Sequence, residues 1–140
     1  MSRFPEFVLN HPILFGLLAA VIVFMIVGEI RRKSTAGQVL NVTDAVRLIN
    51  DREPVIIDLR SKENFKAGHI MGARSIPEAE LAAAIDRQAI PADKPVIVYD
   101  QNGFQSGQAS QRLKTAGFEV YILQQGLMGW QQDSLPLETR

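Results

Sequence analysis

The chain has 140 residues, 15 Lys and Arg against 15 Asp and Glu for a formal charge of zero, and a 46% hydrophobic content. That length and apolar share are enough for one domain with a core, and the balanced charge provides no field that would draw nucleic acid. There is no cysteine, which excludes disulfides and thiolate metal sites; with only His11 and His69, on opposite sides of a long apolar run, no metal or cofactor is predicted.

Residues 1–12 read as a short amino-terminal tail. From Ile13 to Gly28 sixteen residues carry neither charge nor a hydrogen-bonding side chain. A run that is apolar on every face would need an enclosure that a chain of this size cannot build, so residues 13–30 are predicted to form a single transmembrane helix. The run is short against the ~20 residues that cross a hydrocarbon core; Phe7, Val8 and Leu9 extend it through Asn10 and His11, and snorkelling and local thinning cover the rest. Arg31-Arg32-Lys33 follow the run, whereas only Arg3 and the amino terminus precede it. The positive-inside rule then puts the carboxy-terminal domain on the cytoplasmic side of the inner membrane, with a single pass. A signal peptide would carry its basic residues before the apolar run, not after it, although Ser34-Thr35-Ala36 has the small side chains of a cleavage site. Gly16, Ala19 and Ala20 give a small-residue face able to pack against another span.

Residues 31–38 read as a basic juxtamembrane linker, small and polar at its end, which keeps the following domain, residues 39–138, close to the bilayer. Thr43 is the expected N-cap of a helix through Asn50, with Ala45, Val46, Leu48 and Ile49 on its apolar side. The unbroken run Val55 to Ile57 suits a strand covered on both faces. A helix over Lys62–Lys66 stops at Gly68, and Pro77 opens another that ends near Asp86. Then come a strand from Val96, a helix from Ser106 to Ala116 closed by Gly117, a strand over Glu119–Leu123 and a short helix over Leu127–Gln132. In that last helix Leu127, Met128 and Trp130 have core-facing spacing. Strands alternating with helices predict an α/β domain, a parallel sheet with helices on both faces.

The site expected to carry chemistry lies where Val96-Ile97-Val98-Tyr99 runs into Asp100-Gln101-Asn102-Gly103-Phe104-Gln105-Ser106. A strand, a tight turn and a helix amino terminus gather backbone N–H groups around one point, which favours an anion. The residue that this cradle addresses is Asp100. The loop resembles the active-site loop of rhodanese-like domains, Cys-x-x-Gly-x-Arg-Ser: Gly103 and Ser106 match, the cysteine falls on Asp100 and the arginine on Gln105. Val55 to Arg60 with Glu63, Phe65, Gly68-His69-Ile70, Gly72-Ala73 and Ile76-Pro77 is similar to an earlier stretch of that family. Leu113, Ala116-Gly117-Phe118, Val120, Leu123, Gly126, Trp130 and Leu135-Pro136-Leu137 are similar to its closing segment, with Gln125 in place of a first glycine.

The resemblance implies a rhodanese-like fold and, because the persulfide-bearing cysteine of that family is missing, no sulfurtransferase activity. A carboxylate cannot carry a sulfane sulfur, but it can satisfy the cradle's N–H groups itself; Gln105 in place of arginine removes the charge that would hold an anionic donor. The expected role is then protein binding or scaffolding beside the membrane, through the bilayer anchor and a membrane or membrane-associated protein partner. The contact surface would be Asp100, Gln101, Asn102, Gly103, Phe104, Gln105 and Ser106, with Phe104 foremost because an apolar ring at a loop tip has little of its own to bury against.

Asp100 also allows an enzymatic alternative, a hydrolase or transferase that uses it as nucleophile or base. Val98-Tyr99-Asp100-Gln101-Asn102-Gly103-Phe104 looks loosely like the first motif of haloacid-dehalogenase-type phosphatases, whose second acid would fall on Asn102. For the remaining polar residues, His69 is expected to be satisfied by backbone carbonyls, and Asp58 with Arg60 to form a hydrogen-bonded pair at a strand end.

Overall fold

The computed structural model describes residues 3–35 and 37–139. The chain divides into two compact units, Met1–Ser34 and Thr35–Arg140.

The first unit is helical. Helix α1, Arg3–Asn10, occupies most of the stretch expected to be a tail, and it also takes up Phe7, Val8 and Leu9. The apolar helix α2, Pro12–Thr35, starts after His11. The cause of the interruption is Pro12, which has no N–H to donate to Val8 and is well placed only in a first helical turn. Within α2 the stretch Pro12–Arg31 is long and apolar enough to cross a membrane, and none of it is buried.

The second unit is a five-stranded parallel sheet with strand order β1-β5-β4-β2-β3. Its elements run β1 Gln38–Leu40, α3 Val42–Arg52, β2 Val55–Asp58, α4 Lys62–Ala67, β3 Arg74–Ser75, α5 Glu78–Asp86, β4 Val96–Tyr99, α6 Ser106–Thr115, β5 Val120–Leu123 and α7 Gly126–Gln132. Side chains alternate across the sheet. Val55, Ile57, Val96, Val98, Val120 and Ile122 pack with Leu81, Ala109 and Leu113 of α5 and α6. Ile56, Ile97, Tyr99 and Leu123 pack on the opposite face with Ala45 of α3 and Leu127 and Trp130 of α7. Helices therefore cover both faces, as the alternation of elements predicts, and the central strands β2 and β4 are buried throughout.

Several boundaries depart from expectation. The linker gives way to structure early: α2 continues to Thr35, position 36 lies outside the described residues, and Gly37 is already buried, its N–H donating to Ser110 Oγ at 3.1 Å. A Cβ at Gly37 would sit 2.9 Å from the Val120 carbonyl oxygen, so the backbones meet there only because the residue is glycine. Gln38 opens β1, which pairs with β5. The cap of α3 is Asn41, whose Oδ1 accepts from Asp44 N–H at 2.8 Å; Thr43 is inside the helix. Pro77 is likewise the residue before α5. Met128 is 45% exposed, on the outer side of α7, while Leu127 and Trp130 face the core as expected. Gly117, at φ +98°, closes α6, with Phe118 N–H donating to Leu113 O at 3.1 Å in a Schellman arrangement.

A filled anion cradle as the candidate functional site

β4 is an uninterrupted buried strand of Val, Ile, Val and Tyr, so the chain emerges from the sheet at a fixed point, and Asp100 is the next residue. Its carboxylate is 2% exposed and receives three hydrogen bonds. Oδ1 accepts from Gly103 N–H at 2.7 Å and from Ser106 Oγ at 2.8 Å, and Oδ2 accepts from Gln105 N–H at 2.8 Å. These are short, charge-assisted bonds from the groups that a cradle of this shape offers to an anion. Gly103 makes the turn at φ +95°, where a side chain would be strained. Asn102 Oδ1 accepts from Phe104 N–H at 3.2 Å. The three N–H groups of residues 103–105 are all engaged by side chains of the same loop.

The floor of the loop is held from the start of α7. Leu127 N–H donates to Asp100 O at 2.9 Å and Met128 N–H to Gln101 O at 3.1 Å. Gly126 lies against that contact, and a Cβ there would be driven into the Asp100 carbonyl oxygen. Gln125, which stands where the resembled family has glycine, adopts φ +58°, a left-handed conformation that costs a non-glycine residue about 1 kcal/mol.

A second polar group is buried beside the cradle. Asp58, at the end of β2, is a register neighbour of Tyr99. It accepts from Tyr99 Oη at 2.7 Å, from Arg60 Nη2 at 2.7 Å and Nε at 3.1 Å, and from Arg60 N–H at 2.9 Å. Burial first, then the Asp58 charge, hold the Tyr99 hydroxyl far above the ordinary phenol range. For Arg60, burial works against the charge, but its bonds to Asp58 outweigh this and leave the guanidinium more basic than usual. Arg60 also donates from Nη2 to Gly68 O at 2.7 Å and from Nη1 to Gln101 Oε1 at 3.3 Å. The expected Asp58 and Arg60 pair is therefore present and reaches the cradle through Gln101. The links to Tyr99 and Gln101 were not predicted.

A cleft of about 420 Å³ opens between the start of α4 and the cradle, walled by Arg60, Ser61, Asn64, Gln101, Phe104 and Gln105 among others. All seven residues expected at the site are together on the loop: Asp100 and Ser106 are buried, Gly103 is half-buried, and Gln101, Asn102, Phe104 and Gln105 are exposed. Phe104 is 87% exposed. His69 is elsewhere: its Nδ1 faces Phe65 O at 2.7 Å and its ring stacks on Phe65, 3.7 Å between centroids. That is the backbone-carbonyl partnership expected of it.

The family profile described as Rhodanese-like domain matches residues 41–133. The chain belongs to the rhodanese-like family. YibN of Escherichia coli (strain K12) is 34% identical over 139 residues, covering 98% of this chain and 97% of that protein. YqhL of Bacillus subtilis (strain 168) is 32% identical over 123 residues, 87% of this chain and 94% of that one. Among solved structures, a rhodanese-related protein from Thermoplasma volcanium superposes with a TM-score of 0.67 at 21% identity, over 74% of this chain and 99% of that one; this shows the shared fold. In this rhodanese-like domain the strand-end position is a carboxylate and the sequence has no cysteine. No side chain can therefore carry sulfane sulfur as a thiolate would.

Proposed function

We propose that this chain is a membrane-anchored rhodanese-like domain without catalytic activity, and that it binds a membrane or membrane-associated protein at the cytoplasmic surface of the inner membrane. The observation that carries this reading is the Asp100 carboxylate, which is buried and takes the Gly103 and Gln105 N–H groups and the Ser106 hydroxyl, while Asn102 takes the Phe104 N–H. Those donors are then not free for a substrate anion. Arg60, the cation in the wall of the adjoining cleft, is committed to Asp58. Asp100 is 2% exposed and its carboxylate is held by three donors of its own loop, which argues against the hydrolase or transferase alternative, because an attacking nucleophile must be reachable by its substrate.

Two further observations support a contact role. Phe104 is held out on a loop whose backbone is fixed on both sides, so a partner can bury the ring without first ordering the loop. The apolar stretch Pro12–Arg31 is long enough to act as an anchor, and the basic run at 31–33 favours a cytoplasmic domain. Confinement to the membrane raises the effective concentration of the domain toward other membrane proteins.

The test is a photo-crosslinking scan of the full chain in native membranes. A crosslinker at Phe104, Gln101 or Gln105 is expected to give a discrete adduct, and one at Asp93, before β4, is expected to give none. If adducts form equally at all four positions, or at none, the contact surface is not this loop. Thiocyanate release from thiosulfate and cyanide by the purified chain would refute the loss of sulfurtransferase activity. Phosphoryl or acyl turnover abolished in Asp100→Asn would establish the enzymatic alternative.

A further inference from the structure

Helix α1 has no part in the reading above, and its position is constrained by α2. The two helices are separated by His11 alone, and the joint is closed by His11 N–H donating to Val8 O at 3.3 Å. At 100° per residue the polar positions 3 and 10 of α1 share one stripe, while positions 7, 8, 9 and 11 fall on the remaining arc. Phe7 and Leu9 are 52% and 78% exposed. Phe7 packs edge-on against His11 at 4.8 Å and against Phe15 at 6.1 Å between ring centroids. An aromatic surface thus runs unbroken from α1 across the joint into the first turn of α2.

The argument rests on the reading that α2 crosses a bilayer. The 20 residues Pro12–Arg31 rise about 30 Å at ~1.5 Å each, the whole thickness of a hydrocarbon core. No depth of core is left for α1, and its apolar arc is unsuited to water. We infer that α1 is an interfacial helix, lying in the boundary between headgroups and acyl chains of the leaflet on the amino-terminal side of the span, with its polar stripe toward water. The Phe7 and Phe15 rings then lie on the acyl side of the boundary, with the polar edge of the His11 ring toward the headgroups. The occupant of the α1 apolar face is lipid.

Because the chain has no cysteine, Val8→Cys, Asn10→Cys and Leu18→Cys each place one nitroxide label without any other change. The full-length protein is reconstituted in vesicles of phosphatidylethanolamine and phosphatidylglycerol, and label depth is read from the ratio of collision with oxygen to collision with a water-soluble nickel chelate. The Leu18 label is expected to be deep, and the Val8 ratio to exceed the Asn10 ratio several-fold while staying below that of Leu18. A Leu9→Cys label should shift toward the nickel reagent when Val8 is also changed to Asp, with Leu18 unmoved. Equal nickel access at Val8 and Asn10 with Leu18 deep overturns the inference and leaves the anchor standing. Val8 and Asn10 both as deep as Leu18 overturn it by placing α1 in the core. Nickel access at Leu18 removes the span itself, and the inference with it.

Discussion

Asp100 acts as an internal ligand. In Asp100→Ala, two backbone N–H groups and the Ser106 hydroxyl lose their acceptor in a buried place, and an unmade bond to a charged group is among the larger single-residue losses. We expect about 3 kcal/mol of destabilisation, measured by urea denaturation followed through Trp130, the only tryptophan. Asp100→Cys tests the cradle from the other side. Three donors converging on the new sulfur should hold its thiol below the ordinary value of about 8.5. The pH dependence of alkylation reads this directly, since the variant has one thiol; a value at or above the ordinary one would mean that the loop does not favour an anion. The cradle was legible in the sequence because its parts are contiguous, a strand end, Gly103 and Ser106 at short spacing. The network of Asp58, Arg60, Tyr99 and Gln101 was legible only in its contiguous half. Its other links join residues 41 positions apart, and no local pattern announces that two strand ends are register neighbours.

Among the elements, the turn from β5 into α7 sets the position of the cradle. Gly126→Ala should cost roughly 3 kcal/mol or more, because the added methyl meets the Asp100 carbonyl, a backbone atom that cannot swing aside. Gln125→Gly should instead stabilise by about 1 kcal/mol, by relieving a left-handed non-glycine residue; the same denaturation experiment measures both. A second tie joins α3 to the residue that leads into β5: Arg52 donates to both oxygens of Glu119 at 2.7 and 2.9 Å, and Tyr121 Oη donates to Glu119 Oε1. The Arg52 bonds, then that of Tyr121, hold the Glu119 carboxyl below its ordinary range. A lowered folded-state value means that the tie is fully present above the carboxylate range, about pH 4, and is lost as pH falls through the folded-state value. The stability gap between the wild type and Arg52→Ala should therefore close on acidification, and a gap constant with pH would refute the assignment. β2, β4 and β5 were legible because buried parallel strands read as runs of Val and Ile. β1 and β3 were not, since three and two residues are too few to show a period. Asn41 and Thr43 are both capping types two positions apart, and propensity does not choose between them. Pro12 divides an apolar stretch that hydropathy alone would read as continuous.

For the molecule as a whole, the direction of the sheet would separate the two tasks proposed for it. Its strands are parallel, so the chain enters the second unit at their amino ends, at Gly37 and Gln38, while Asp100 and Phe104 lie beyond their carboxyl ends. If anchoring and contact are separate, replacing residues 12–31 by an unrelated span should leave the Phe104 crosslink unchanged in identity and yield. Loss of the adduct would shift the specificity to the span and its small-residue face.

The absence of sulfur from the cradle has a consequence for the conditions under which the domain can work. A reactive thiolate passes through sulfenic and sulfinic acids when peroxide rises, and each step changes the charge and size of the group at the centre of its loop. A carboxylate undergoes none of these steps. The loop around Asp100 should therefore keep one shape through oxidative stress that would disable thiol-bearing sites.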